Sequence, residues 1–339
     1  MKIFLNVSSI LPMLDFLRDL KSKRADANKI REIFNHKDYD FEFRRYEISQ
    51  TEPFINYFMR LSDIKESEIP ELDSRYKNML KNKHTRWLNA LENPDYYESL
   101  YKKITGSITD EALAGICETV KRGLPADANI DDIHIISTMS IGTSFGYVFD
   151  NALHFDIMGF NDDNLKSLPS LLAHEIHHLA MSKYASSLYG NFSPEERYIF
   201  NFTGEGLAVK FCNNAKGAVS KPLYANLPVN ECLDEFSMEY LNSRFYEALG
   251  VFKESLSDIR AGKMKNEDIY EQFNKYWWNP YTEEQSRDEE PLLKQSLIYS
   301  FGNDLFGVIY DAFGADILFD CVRHPLKTVE YFEQAVKKI

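Results

Sequence analysis

The segment from Ser167 to Met181 constrains the fold more than any other, because it predicts a helix with two distinct faces. Ser167 is a suitable N-cap, and Pro169 falls in the first turn. At 100° per residue, His174 and His178 project within about 40° of each other. Four apolar residues cover the opposite arc and are expected to be buried: Leu172, Ile176, Leu179 and Ala180.

A short motif on this helix carries chemistry. Residues 174–178 read His-Glu-Ile-His-His, an H-E-x-x-H pattern in which two imidazoles can bind one metal ion. Glu175 stands about 60° beyond His178, where it can reach a water bound to that metal. His177 points about 100° away from His178, so we expect it to be exposed or hydrogen-bonded and not a ligand. The motif therefore predicts a zinc ion held by His174 and His178.

A catalytic zinc site also needs a third protein ligand and an open position for water. Ser193–Glu196 reads as a capping box, which predicts that a second helix begins there and continues through Gly204–Ala208. Glu205, in that segment, lies 27 residues beyond His178, far enough for a turn and a second helix beside the first. Glu205 is the predicted third ligand. Three other glutamates compete for this role: Glu195, Glu196 and Glu231.

Two glycines flank the predicted ligand, and glycine weakens a helix unless the backbone must approach something closely. We therefore expect Gly204 and Gly206 where this helix meets the metal helix. The positions three and six residues after His178 are Met181 and Tyr184, where metzincins have Gly and His. That class of metallopeptidase is excluded.

The rest of the chain is patterned as helices around a small sheet. From residue 13 to about 120, and again from about 167 to the end, apolar residues recur at helical spacing. Between them, three short runs rich in β-branched and aromatic residues predict strands with a hairpin: Ile133–Thr138, Phe145–Phe149 and Leu153–Ile157. An acidic stretch, 282–291, is expected to be an exposed loop.

This pattern predicts an α+β, predominantly helical protein. We expect an N-terminal helical region at 1–125 and a catalytic domain at 126–339, with the sheet and metal helix at about 126–186 and a helical subdomain at about 187–339. Two interpretations stay open for Phe145–Phe149, an edge strand that pairs with substrate backbone or a strand of the sheet core. The pair Trp277-Trp278 is interpreted as helix packing and not as a substrate platform.

Composition excludes several classes of protein. The 44% hydrophobic content is too high for intrinsic disorder. With 39 Lys and Arg against 52 Asp and Glu, the formal charge of −13 repels a nucleic-acid backbone, so we expect no nucleic-acid partner. The apolar N-terminus is interrupted by Asn6, Pro12 and Asp15, and no segment is apolar enough to span a membrane. A cytoplasmic protein without membrane partners is expected.

The two motifs at 174–178 and 204–208 together resemble the gluzincin branch of the zincin metallopeptidases. That branch includes thermolysin-like enzymes and aminopeptidases with an N-E-G-F-A-type segment, and a glutamate on a following helix is its third zinc ligand. The chain also resembles predicted bacterial zinc-dependent proteases that carry a late segment like Ile298–Gly302. The resemblance covers roughly 126–339 and implies a zincin-like catalytic domain, a zinc cofactor and hydrolysis of peptide bonds.

Two departures limit what the resemblance implies. The aminopeptidases hold the substrate's amino group with a Gly-x-Met-Glu-Asn segment, which Gly142–Gly146 does not reproduce. An endopeptidase or oligopeptidase acting on peptides or proteins is therefore favoured. Thermolysin-like enzymes place an acidic residue four positions after the glutamate ligand to orient a ligand histidine, and that position is Val209 here. The partner of that histidine must come from elsewhere.

The resemblance also implies catalytic roles. Glu175 acts as the base that takes a proton from the zinc-bound water and then as the acid that protonates the leaving amine. The oxyanion needs a further donor, for which Tyr299 is the first candidate and Tyr310 and His324 are alternatives. Two other hypotheses remain. One is a catalytically inactive zinc-containing protein whose helices bind a partner, and the other is a zinc amidohydrolase of a non-peptide substrate. The sequence does not predict an oligomeric state.

Overall fold

The computed structural model describes residues 1–65, 69, 74–142, 146–279 and 293–338, so the predicted acidic loop at 282–291 lies outside the described residues. The protein is predominantly helical with a small sheet, which confirms the α+β class at that level. The chain forms two compact units. Unit 1 contains Met1–Ala114 and Asp131–Lys166, and unit 2 contains Gly115–Ile130 and Ser167–Ile339. The division at residue 125 stays a prediction, because compactness does not test which segments fold independently.

Unit 1 contains the sheet, which has the strand order β1-β2-β4-β3. Its strands are β1 (Ile3–Asn6), β2 (Ile133–Thr138), β3 (Gly146–Phe149) and β4 (Ala152–Asp156). β2 is parallel to both β1 and β4, whereas β3 is antiparallel to β4 and lies at the edge of the sheet. The predicted hairpin is therefore confirmed. Strand β1 was not predicted, and its Ile3 pairs with Ile133.

The helices of unit 1 bury the apolar stripes that the sequence predicts. Leu14 and Leu17 are fully buried in the first helix, and Trp87 is fully buried in the fifth. The helices are α1 (Ile10–Lys21), α2 (Ala27–Phe34), α3 (Lys37–Arg45), α4 (Glu52–Met59), α5 (Ser74–Glu92), α6 (Pro94–Ser107) and α7 (Asp110–Arg122), the last of which begins in unit 1 and ends in unit 2.

A buried ion pair holds the carboxyl end of β4. Lys83 on α5 donates to Asp156 Oδ2, and both side chains are buried. Asp156 Oδ1 accepts the backbone N–H groups of Ser140 (3.1 Å) and Met158 (3.0 Å). One carboxylate therefore joins a helix to the segments that follow β2 and β4.

A second buried carboxylate fixes the segment after β2. Glu42 Oε1 accepts the backbone N–H of Gly142 (2.7 Å) and the hydroxyl of Ser140. Burial raises the pKa of Glu42 to about 7. A Cβ at Gly142 would lie 2.0 Å from the Tyr46 ring, so any other residue at this position would force that ring to move.

Unit 2 is helical. Its helices are α8 (Leu168–Leu188), α9 (Pro194–Phe200), α10 (Thr203–Cys212), α11 (Glu235–Ser243), α12 (Phe245–Arg260), α13 (Asn266–Gln272), a π-helical turn (Phe273–Trp277), α14 (Leu297–Phe313), α15 (Ala315–Arg323) and α16 (Leu326–Val336). Among the described helices of both units, none is long and apolar enough to cross a lipid bilayer.

The buried ion pair in unit 1 gives a stability prediction. Asp156→Asn leaves the Lys83 ammonium buried without its carboxylate partner, which should lower the free energy of unfolding by about 3–5 kcal/mol. The control is Asp162→Asn, which removes an equivalent charge from the exposed Lys103–Asp162 pair and should change stability little. Urea unfolding of both variants measures the difference. Equal stability of the two variants would contradict this account of the pair.

Candidate metal centre

The helix that carries the H-E-x-x-H motif forms as predicted. It begins at Leu168, with Ser167 at the N-cap position and Pro169 in the first turn, although the Ser167 side chain makes no capping hydrogen bond. The four residues predicted to cover the opposite arc are all buried: Leu172, Ile176, Leu179 and Ala180.

The predicted capping box is present at the start of α9. Ser193 Oγ accepts the Glu196 backbone N–H (3.3 Å), and Glu196 Oε2 accepts the Ser193 backbone N–H (2.8 Å). The helix that begins there ends at Phe200, and a new helix begins at Thr203. Glu205 therefore lies in the first turn of α10 and not on the capping-box helix, which corrects the prediction of one continuous helix.

Three side chains from α8 and α10 bring their donor atoms together. The Nε2 atoms of His174 and His178 are 2.9 Å apart, and the carboxylate oxygens of Glu205 lie 3.3 Å from each of them. Donor atoms bound tetrahedrally to zinc at about 2.0–2.1 Å are about 3.3 Å apart. Glu205 Oε2 is also buried and makes no hydrogen bond within the described residues. The donor set therefore fits a zinc ion.

The charges of the three side chains agree with this fit. Burial alone would raise the pKa of Glu205, but the two histidines outweigh it and bring that pKa to about 2. Burial lowers the pKa of His178, whereas the Glu205 carboxylate raises it, and the carboxylate prevails. The cluster therefore contains an ionised, largely buried carboxylate, which a bound cation would neutralise.

A residue that the sequence did not reveal orients His174. Its Nδ1 lies 2.7 Å from Asn213 Oδ1, at the end of α10. Asn213 Nδ2 donates to the Glu231 carbonyl (2.8 Å), and the Glu231 N–H donates to the Asn213 carbonyl (2.9 Å). The amide oxygen therefore faces His174, which must donate from Nδ1 and leave Nε2 free to bind a metal. Val209, the position expected to be acidic, is fully buried.

Tyr299 on α14 packs beside the donor atoms. Its ring stacks on His174 with centroids 5.9 Å apart and an interplanar angle of 11°. Burial raises the pKa of Tyr299 well above its usual range, and the carboxylates of Glu205 and Glu175 raise it further. The hydroxyl therefore stays protonated and can donate. Of the alternatives, Tyr310 packs against Phe211, and His324 is exposed near Asp320.

Glu175 and His177 occupy different environments. Glu175 is half-buried, and its carboxylate raises the pKa of both His178 and Tyr299. His177 is fully buried with its Nε2 2.9 Å from the Gly123 carbonyl oxygen, which agrees with the expected hydrogen bond. Burial lowers the pKa of His177 to about 3, so this side chain is neutral.

None of the three competing glutamates belongs to the cluster of donor atoms in the described residues, and the side chains of Glu195 and Glu196 have other partners. Glu195 Oε1 accepts from Arg260 Nε (2.6 Å), and Glu196 completes the capping box. The backbone of Glu231 binds Asn213.

The glycines beside Glu205 differ in their surroundings. A Cβ on Gly206 would lie 2.5 Å from the carbonyl oxygen of Gly302 on α14. A Cβ on Gly204 would lie 3.7 Å from His178 Nδ1, which is ordinary contact. The expected close approach to the metal helix is therefore wrong for Gly206, whose close neighbour is α14. This helix contact places Tyr299, one turn before Gly302, beside the donor atoms.

These two glycines give a matched prediction. Gly206→Ala should destabilise the protein and weaken zinc binding, because α10 and α14 must move apart. Gly204→Ala should leave stability unchanged or raise it by up to about 1 kcal/mol, because alanine favours helix and the added methyl group has room. Thermal unfolding and zinc titration of both variants measure this. Equal effects of the two substitutions would show that the backbone contact does not matter.

Comparison with known proteins identifies the family. A family model described as "Putative zinc dependent peptidase (DUF5700)" matches residues 30–339. The comparison with curated proteins and the comparison with solved structures each gave no match. The family match includes the His174, His178 and Glu205 cluster and also most of the N-terminal helices, for which the motifs showed no resemblance. The chain therefore belongs to this family.

Proposed function

We propose that this protein is a gluzincin-type zinc peptidase that hydrolyses peptide bonds in peptide or protein substrates. The observation that carries the proposal is the meeting of His174, His178 and Glu205, whose donor atoms all lie within 4.8 Å of one another. Glu175 and Tyr299 beside them supply the two groups that such hydrolysis needs, a base and a hydrogen-bond donor. The family match supports a zinc peptidase as the general class of enzyme.

Each residue of the site has its own role in the proposed reaction. Zinc, when bound, lowers the pKa of a coordinated water towards about 7 and polarises a carbonyl group. His174, His178 and Glu205 would hold the ion. Glu175 accepts the proton of the attacking water and returns it to the leaving amine nitrogen. Tyr299, which keeps its proton, donates a hydrogen bond to the substrate oxygen as that oxygen gains charge.

An endopeptidase or oligopeptidase is proposed, because the segment from Gly142 does not match the amine-binding segment of aminopeptidases. The hypothesis of an inactive zinc-containing protein depended on Val209, where an acidic partner for the histidine was expected. Asn213 supplies a hydrogen-bond acceptor for His174 instead, so that reason for the hypothesis is weaker. A zinc amidohydrolase of non-peptide substrates would use the same groups.

The mechanism predicts the behaviour of a Glu175→Gln variant. The variant should keep about one zinc per chain and lose about 10²–10⁴-fold in peptide cleavage, because the proton-transferring carboxylate is gone while the ligands remain. Metal content by mass spectrometry and cleavage of a peptide library measure the two quantities. Glu254→Gln, an exposed glutamate of the same unit, should change neither.

Comparison with His174→Ala separates metal binding from catalysis. That variant should lose both zinc and activity. Full activity of the Glu175→Gln variant would contradict the mechanism. Zinc retained in the His174→Ala variant would contradict the assignment of His174 as a ligand. Hydrolysis of non-peptide amides without cleavage of any peptide would favour the amidohydrolase.

Asn213 gives a prediction of its own. Asn213→Ala removes the acceptor that orients His174, so zinc affinity should fall by about 10–100-fold in chelator competition. Asn214→Ala is the matched control, because its amide donates to the carbonyls of Tyr224 (2.9 Å) and Pro228 (3.1 Å) in the same loop but has no hydrogen bond to His174. The control should lose stability and keep most of its zinc affinity. Equal losses of zinc affinity in the two variants would mean that disruption of the loop, and not the lost contact with His174, lowers the affinity.

A further inference from the structure

We propose that a cleft in unit 2 binds a peptide segment that presents a carboxylate next to an aromatic or aliphatic side chain. The cleft has a volume of about 500 Å³ and lies between the segment at 189–201 and the helical segment at 266–278. Its lining includes none of the metal-donor residues. The inference therefore does not rest on the proposed peptidase activity.

The cleft contains a cation, Arg197, for which the described residues provide no counter-ion. Arg197 is half-buried, and its Nε is buried and makes no hydrogen bond within the described residues. Its guanidinium lies over the Tyr189 ring at 5.5 Å and donates to the Gly190 carbonyl at 3.4 Å. In the described part of the chain no carboxylate pairs with it. The aromatic ring and one weak hydrogen bond therefore hold the guanidinium in place, and its remaining donors can bind an acceptor.

The nearest acidic residues along the chain are already paired. Glu195 binds Arg260, and Glu196 binds the Ser193 backbone. Although the chain has 52 acidic residues, none of them lines the described cleft. An incoming carboxylate would meet no like charge among the described residues that line the cleft, and the planar guanidinium offers it parallel hydrogen bonds. A neutral ligand would leave this cation unmatched.

Exposed aromatic rings form the other wall. Tyr270 is 72% exposed, and Trp278 is 44% exposed. The prediction that both tryptophans serve helix packing is correct for Trp277, which is fully buried against Phe202, and wrong for Trp278. The rings provide apolar area for a side chain beside the carboxylate.

The wall that carries these rings has an unusual backbone. Phe273–Trp277 is a π-helical turn, and the Trp278 N–H donates to the Phe273 carbonyl (2.8 Å). Such turns are rare and occur frequently at functional sites. Asn266 and Asn274 also line the cleft, and both residues are exposed. Amides of this kind can pair with the backbone of an extended peptide.

The test compares two blocked dipeptides by calorimetry, acetyl-Tyr-Glu-amide and acetyl-Tyr-Gln-amide, which differ by one charge. The glutamate peptide should bind the full chain about tenfold more tightly than the glutamine peptide, because it alone accepts charge-assisted hydrogen bonds. The same preference is expected in the His174→Ala variant, which removes the proposed metal centre. Binding at the metal is thereby distinguished from binding in the cleft.

Variants test whether Arg197 causes the preference for the glutamate peptide. Arg197→Gln should abolish the tenfold difference, whereas Arg31→Gln, which removes an equal charge from an exposed pair with Glu52 in unit 1, should retain it. Should Arg197→Gln fail to fold, Arg197→Lys keeps the charge without the planar fork and should reduce the preference. Trp278→Ala should weaken both peptides alike. Equal binding of the two peptides, no binding of either, or a preference that survives in Arg197→Gln would each overturn the proposal.

Discussion

The contact between the backbones of α10 and α14 is the constraint on which the candidate metal centre depends. Gly206 and Gly302 approach so closely that a Cβ on Gly206 would meet the Gly302 carbonyl. α10 also packs against α8. It therefore presents Glu205 to the two histidines, while α14 carries Tyr299 over His174. Two residues without side chains thus determine where a ligand and a hydrogen-bond donor lie.

Both units use buried polar groups to position backbone segments. In unit 1, Asp156 and Glu42 accept backbone N–H groups from the segments that follow the strands. In unit 2, Asp304 on α14 accepts three successive N–H groups from Ala218, Val219 and Ser220 at 2.8–3.0 Å. Such groups are costly to bury and are retained only where their hydrogen bonds are satisfied. The loop that contains Asn213 is therefore fixed to the helix that carries Tyr299.

The sequence predicted what depends on local spacing. The helix with His174 and His178, the capping box at Ser193 and the β3–β4 hairpin follow from periodicity and turn chemistry, and the structure contains them. Glu205 could be selected because its flanking glycines are unusual in a helix, although the reason for Gly206 depends on Gly302, which lies almost a hundred residues away.

Features that depend on distant partners were missed. Strand β1 has only four residues and no polar alternation, and it forms because Ile133–Ile136 lies beside it. In the sequence, Asn213 is an ordinary residue at a helix end. Its amide is fixed by a hydrogen bond to the Glu231 carbonyl, 18 residues later in the chain. Trp278 is exposed directly after a π-helical turn, and no spacing pattern in the sequence indicates that turn.

The pairing of β1 with β2 also has a consequence for synthesis on the ribosome. Ile3 emerges first, but its partner Ile133 follows 130 positions later, which at about 5–20 residues per second is a delay on the order of ten seconds. Contacts of such long sequence separation slow folding, because the entropy of closing the loop is lost before the contact stabilises the chain. The α-helices of unit 1 are local and can form early, whereas β1 cannot pair until β2 has emerged. The nascent chain is thus helical before it contains any sheet.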